Sequence, residues 1–169
     1  MNELDKYKEK IKEPLRQATL MFLIKDNKIL LALKKRGFAV GKWNGMGGKP
    51  EPKDKSIIET AIRETLEEVN VTPINPIRVA TLNFYFPENP VWSQQVAVFL
   101  AKQWSGEATE TDEMMPKWFN VNEIPFEKMW EDDKFWLPQI INGTFIEADF
   151  LLDNNQRMIE KNIREITLH

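Results

Sequence analysis

Two short apolar runs, Ala18 to Ile24 and Lys28 to Leu33, are split by Asp26-Asn27, and this pattern predicts a β-hairpin closed by a tight turn. Beyond a glycine-rich stretch the period lengthens. At 100° per residue Ile58, Ile62, Thr65, Leu66 and Val69 share one face, which predicts a helix from Ile57 to about Val69, capped by Ser56 and ended by Pro73 and Pro76. Strand-like runs follow at Ile77 to Phe86 and Gln94 to Ala101, with a shorter one at Trp118 to Val121. Phe126 to Ile141 reads as helical, with Pro138 interrupting it. Phe145 to Leu152 is expected as a strand, and Met158 to Ile166 as strand or helix. Ahead of all this, Glu3 to Leu15 is rich in Lys and Glu and reaches Pro14. It is expected as a short helix or loose arm, a solvated extension (1–15) before the domain (16–169). The order of elements fits an α/β or α+β fold.

Composition narrows the chemistry. A chain of 169 residues, 42% apolar, suits one domain with a real core. It has no cysteine and one histidine, His169, at the C-terminus. That excludes a thiol nucleophile, a disulfide framework, a Ser-His-Asp triad and a Cys/His zinc site, leaving carboxylates, Lys, Arg, Tyr, hydroxyls or an oxygen-held metal. A net charge of −3, with no long Lys/Arg run, argues against a nucleic-acid polymer as partner but leaves a metal-bridged mononucleotide open. Met1 to Lys12 carries no apolar signal core, and no stretch approaches the ~20 apolar residues of a membrane span. We expect a soluble, cytoplasmic, monomeric protein without a membrane partner.

The second predicted helix carries the clearest chemical signal. Glu64, Glu67 and Glu68 lie within an arc of about 100° on the side away from its apolar face. Such a cluster is often only a solvated face, since like charges at these spacings cost a helix a few tenths of a kcal/mol per pair unless solvent or a cation offsets them. Here, however, Gly47-Gly48-Lys49 stands directly before the helix. It offers a backbone that can approach phosphate, a carbonyl for a metal and a cationic side chain. An acidic helix beside a glycine turn that presents lysine is a device for gripping Mg²⁺ and a polyphosphate.

Gly48 to Val71, ending in Arg63-Glu64-Thr-Leu-Glu67-Glu68-Val-Asn-Val71, resembles the Nudix box, G-x5-E-x7-R-E-U-x-E-E-x-G-U with U aliphatic. The loop holds one extra residue. Counting forward from Gly48 places the first acid of the box at Asp54, whereas counting back from Arg63 reaches Lys55, so that acid is either supplied by Asp54 or absent. Thr65 replaces an aliphatic residue, and Asn70 replaces a glycine, a mild change because Asn tolerates a left-handed helix end. The resemblance implies an α/β/α sandwich with a mixed β-sheet and a metal-assisted attack of water on a phosphoryl group. By the same resemblance, Gly47, Glu64, Glu67, Glu68 and Glu113 hold Mg²⁺ (Mn²⁺ as the alternative), Arg63 orients the carboxylates and Lys49 meets the triphosphate. Arg63, Glu64, Glu67 and Glu113 are then the catalytic set.

The likeness covers about Arg16 to Ile166. Lys34-Lys-Arg-Gly-Phe38, Trp43-Asn44-Gly-Met-Gly-Gly-Lys49, Asp112 to Phe119 and Ile124 to Asp133 are similar to the branch of the family that hydrolyses oxidised purine nucleoside triphosphates such as 8-oxo-dGTP. Carried over residue by residue, it implies stacking on Trp130, apolar walls at Phe38, Phe84 and Phe86, and nearby polar contacts at Thr19 and Lys34. Asn44 carries both donor and acceptor for a purine edge. If Asp132 and Asp133 are buried together, one should hold a proton and donate while its neighbour accepts. That pair could read oxidised guanine or, with the proton relocated, the oxidised adenine of 2-hydroxy-dATP. Taken singly, these residues have ordinary readings: a tryptophan is usually core, an Asp pair can start a helix, and Trp-Asn-Gly can be a turn. Only their joint order along one chain favours the pocket. Three alternatives stay open: a Nudix hydrolase of other nucleotides, a non-catalytic Nudix regulator favoured by Lys55 and the longer loop, and a scaffold acting through the N-terminal segment.

Overall fold

The computed structural model describes residues 1–167; His169 lies outside them. The elements run α1 (Glu3–Lys10), β1 (Arg16–Lys25), β2 (Lys28–Lys34), β3 (Trp43–Asn44), α2 (Ile57–Val69), β4 (Thr72–Ile74) and β5 (Ile77–Tyr85). They continue with β6 (Gln94–Ala101), β7 (Gln103–Ser105), β8 (Met114–Asn120), α3 (Asp133–Ile141), β9 (Phe145–Leu152) and β10 (Met158–Ile166). Eight strands form one mixed sheet ordered β10-β9-β5-β6-β1-β2-β3, with β8 also on β2. Strand pairs β1–β6 and β5–β9 are parallel, and the other named pairs are antiparallel. The short pair β4–β7 stands apart.

The hairpin forms as expected, because Asp26 and Asn27 both take left-handed backbone (φ 53 and 62) and so close the β1–β2 turn. Helix α2 begins at Ser56, whose hydroxyl accepts from Glu59 N, and ends at Asn70 with φ 64. Side chains on α3, notably Trp136, Leu137 and Ile140, pack against Val96, Val98, Ala148 and Phe150 on one sheet face. Residues one register step away, Met21, Leu23, Ala97 and Phe99, face α2, and Tyr85 and Leu151 face α1. Alternation along the strands therefore places α3 on one side and α1 with α2 on the other, giving the three-layer sandwich.

Several expectations need correction. Phe126 to Ile141 is not one helix: a 3₁₀ turn at Phe126–Lys128 is followed by a short irregular stretch, and α3 then runs through Pro138. The predicted strand at Trp118 is longer and starts at Met114. It accommodates Pro116 because β8 pairs only with β2 and is an edge strand. On α2, Ala61, Thr65 and Val69 are buried but Leu66 is exposed, and Glu68 is drawn to the sheet side. The N-terminal segment is not a solvated extension, since Leu4 is buried against Tyr85 and Leu151.

Candidate active site

Strand β1 pairs with β2 only from Leu23 to Lys25; on the N-terminal side of Leu23 the two part, and the glycine turn fills the gap. Met21 and Met46 bond each other's backbone, and Thr19 N donates to Gly48 O at 2.9 Å. The Thr19 hydroxyl donates to Gly48 O at 3.1 Å and accepts from Gly48 N at 3.2 Å. A Cβ on Gly47 would lie 1.7 Å from the Thr19 carbonyl oxygen, and one on Gly48 would lie 2.4 Å from the Glu64 carboxyl carbon. Only glycine lets the turn sit between β1 and α2.

The acids of α2 then meet this turn in different ways. Glu68 lies beneath it, accepting from Gly47 N at 2.9 Å, and its Oε2 is buried without a partner. Burial, offset in part by that backbone bond and reinforced by the charges of Glu64 and Glu113, pushes the Glu68 carboxyl up to about 8. Glu64 is raised too, chiefly by burial. Arg63 Nη1 bridges Glu64 at 2.9 Å and Glu67 at 3.2 Å. As the side chains stand, no group of three acids is arranged around one point among the described residues. The donor set still fits a hard dication: it offers oxygen ligands, among them Glu68 Oε2, a buried acceptor with no partner among the described residues, and the charges of Glu64 and Glu113 bear on Glu68.

Asp54 resolves the ambiguity in the loop. Its carboxylate takes Arg63 Nε and Nη2 at 2.9 Å each, the Thr60 hydroxyl at 2.9 Å and Glu51 N at 2.9 Å. The Arg63 bond, then the backbone bond, hold Asp54 well below the usual carboxylate range, and Asp54 in turn raises Arg63. Lys55 instead donates its backbone N–H to Glu59. Glu113 is exposed on the β7–β8 connection and lies 3.5 Å from Arg36.

Beside the turn opens a cavity of about 600 Å³. Thr19, Lys34, Phe38, Asn44, Lys49, Phe84, Phe86, Trp130, Asp132 and Asp133 all line it, as do Gly47 and Gly48. Two of the polar groups are already engaged. Thr19 is committed to Gly48, and Asn44 Oδ1 accepts from Gly45 N at 2.8 Å, leaving one lone pair of that oxygen for a ligand. Trp130 is half-buried and lies 5.6 Å from the ring of Phe38. Phe84 stacks on Phe150 at 5.3 Å.

Asp132 and Asp133 are buried side by side (1% and 3% exposed). Trp136 Nε1 donates to Asp132 Oδ2 at 2.7 Å, while Asp133 Oδ2 has no partner among the described residues. Burial first, then the charge of and hydrogen bond to Asp132, hold Asp133 far above the usual range; burial also raises Asp132. Of the two, Asp133 is the group whose protonated form burial and its neighbour favour more strongly. Asp132 makes no capping bond to α3, so a helix-start role does not explain it.

The sequence reading missed Trp92 and Lys42. Trp92 lines the cavity with its ring 6.0 Å from Phe38 and 5.6 Å from Phe86, and Lys42 Nζ lies 5.7 Å from the Trp130 ring centroid. Trp92 ends a single 3₁₀ turn, Pro90–Trp92, too short to show a period, and its one signal in the sequence was an aromatic between two strands that both feed the pocket.

Residues 14–140 match the NUDIX domain, and the chain belongs to the Nudix family. Nudix hydrolases use divalent metal ions. Among curated relatives, a zebrafish (Danio rerio) protein named oxidized purine nucleoside triphosphate hydrolase is 34% identical over 148 residues, 88% of this chain and 94% of its own length. The mouse (Mus musculus) protein of the same name is 33% identical with the same coverage. The crystal structure of a mutator MutT protein from Bacillus halodurans shares the fold, with a TM-score of 0.78 at 24% identity over 88% of this chain and 97% of that one.

Proposed function

We propose that the protein hydrolyses oxidised purine nucleoside triphosphates, with 8-oxo-dGTP first and 2-hydroxy-dATP second, to the monophosphate and pyrophosphate. The observation that carries this reading is the buried Asp132–Asp133 pair, with a free oxygen on Asp133, in an aromatic cavity that ends at the glycine turn of an acidic helix. A protonated Asp133 donates to a purine carbonyl while ionised Asp132 accepts from an adjacent ring N–H. Loss of either partner leaves a buried polar group unpaired, which is how a hydrogen-bonding site rejects the wrong base. Trp130 supplies the stacking face. The names of the zebrafish and mouse relatives support the same substrate class.

At the phosphate end, Glu64, Glu67, Glu68 and the Gly47 carbonyl, with Glu113 opposite, would hold Mg²⁺ or Mn²⁺. The bound ion supplies Lewis acidity and lowers the pKa of water. Arg63 fixes the direction of Glu64 and Glu67 while Asp54 anchors Arg63. Lys49 meets phosphate charge. The partner of Arg63 is Asp54, so Lys55 gives no support to a regulator that has lost catalysis. In the same reading the enzyme is a cytoplasmic monomer that cleans the nucleotide pool; no helix among the described residues is long and apolar enough to cross a membrane. The test is product analysis with 8-oxo-dGTP and Mg²⁺. We expect monophosphate and pyrophosphate in equal amounts, abolished by chelation and by Glu67→Gln; binding without products, or undiminished turnover in the variant, contradicts the reading.

A further inference from the structure

The family match, residues 14–140, contains neither α1 nor the β9–β10 hairpin, yet these two pieces grip each other. The Glu160 carboxylate on β10 accepts from Glu3 N and Leu4 N at 3.1 Å each, so a negative charge closes the N-terminus of α1. Leu4 is buried against Tyr85 and Leu151. One turn further on, Lys8 Nζ reaches the buried Asp149 on β9 at 2.7 Å.

Asp149 belongs to a polar row that crosses the sheet. Its Oδ1 accepts from Asn83 at 3.0 Å, and Asn83 Oδ1 accepts from Gln95 at 3.0 Å. These three residues are register partners on β9, β5 and β6. Their immediate neighbours, Phe150, Phe84 and Gln94, are also register partners and point to the opposite face. On that face Phe84, Gln94 and Leu152 line the cavity, and Phe150 backs Phe84. The lattice that α1 pins on one side is therefore the floor of the base pocket on the other.

We propose that α1, through Lys8 and Leu4, is a positioning element that sets the floor of the purine cavity and hence base affinity, although it touches no ligand. The idea rests on the substrate reading given above. Lys8 is one of two cations on Asp149 Oδ2, the other being Arg164 Nη1 on β10 at 3.0 Å, so removing Lys8 unbalances the Asn83–Asp149 row and shifts the aromatic floor.

The test is steady-state kinetics with 8-oxo-dGTP on Lys8→Met, Lys8→Arg, Leu4→Ala and the control Lys6→Ala, at a temperature well below unfolding of every variant. Among the described residues the Lys6 side chain makes only an exposed 3.6 Å pair with Glu3. In Lys8→Met and Leu4→Ala the expected outcome is a KM raised roughly three- to ten-fold with kcat within about two-fold of wild type. Lys8→Arg restores KM and Lys6→Ala leaves it unchanged. A KM that stays at the wild-type value in Lys8→Met and Leu4→Ala, even with a lowered Tm, overturns the proposal and leaves α1 as a stabiliser alone. A wild type that does not hydrolyse 8-oxo-dGTP overturns the function reading together with this one, so the two failures are distinguishable.

Discussion

Arg63 holds Asp54 by two parallel hydrogen bonds, Nε to Oδ1 and Nη2 to Oδ2, both 2.9 Å. The same guanidinium then spends its remaining nitrogen on Glu64 and Glu67. A bidentate fork fixes the plane of the guanidinium, so the carboxylates that depend on it inherit a fixed direction.

Asp54→Ala should therefore lower kcat/KM by roughly 10- to 100-fold, the usual cost of removing an outer partner of a metal ligand. Lys55→Ala should stay within about two-fold, since its side chain makes none of these contacts. Pyrophosphate release measures both. Equal losses in the two variants would return the first acid of the box to uncertainty.

Gly47 and Gly48 should respond differently to a methyl group. At Gly47 the obstacle is backbone, the Thr19 carbonyl oxygen, whereas at Gly48 it is the end of the Glu64 side chain. Gly47→Ala should unfold the protein or lower Tm sharply. Gly48→Ala should keep the fold, as seen by circular dichroism, and lose kcat because Glu64 is displaced. Retained activity in Gly48→Ala would contradict the contact.

Trp130 and the unanticipated Trp92 can be separated by truncation. If a base stacks on Trp130 with about 1–3 kcal/mol, Trp130→Ala should raise KM by roughly 5- to 150-fold with a smaller change in kcat. Trp92→Ala removes a wall that touches Phe38 and Phe86, and should raise KM less. A larger effect at Trp92 would exchange their roles.

The aspartate pair makes stability depend on pH in a defined direction. Burial and Asp132 raise Asp133 in the folded state, so the folded chain binds more protons than the unfolded one above the ordinary carboxyl value near ~3.9. Stability from this source is complete below that value and is lost as pH rises through the folded pKa. Asp133→Asn, which cannot ionise, should have a Tm above wild type at about pH 8, and the difference should vanish near about pH 4. Parallel Tm curves for the two proteins would show that folding leaves the affinity of Asp133 for its proton unchanged.

Much of the scaffold was legible because local chemistry and tertiary packing agree. Asp26-Asn27 tolerate the positive φ that the hairpin needs, and Ser56 and Asn70 bound α2 as their side chains dictate. Other features depend on distant partners. Counting could not choose between Asp54 and Lys55, because only the folded loop shows which one Arg63 reaches. The stretch before α3 reads as helix by composition, yet it breaks so that Trp130 and Asp132 can enter the cavity. The spacing of Leu4, Tyr7, Ile11 and Leu15 was a visible apolar stripe inside a charged segment, and the abundance of Lys and Glu obscured it. Glu68 lies seven residues after the buried Ala61 and so shares its face, but that Gly47 N would meet it there depends on the fold of the distant glycine turn.

Base discrimination by this cavity is read most directly from kcat/KM for 8-oxo-dGTP against dGTP, measured with purified protein in Mg²⁺. Discrimination by a buried, hydrogen-bonding Asp132–Asp133 pair predicts a preference for the oxidised nucleotide of at least roughly ten-fold. Equal values, or a preference for dGTP, would contradict it.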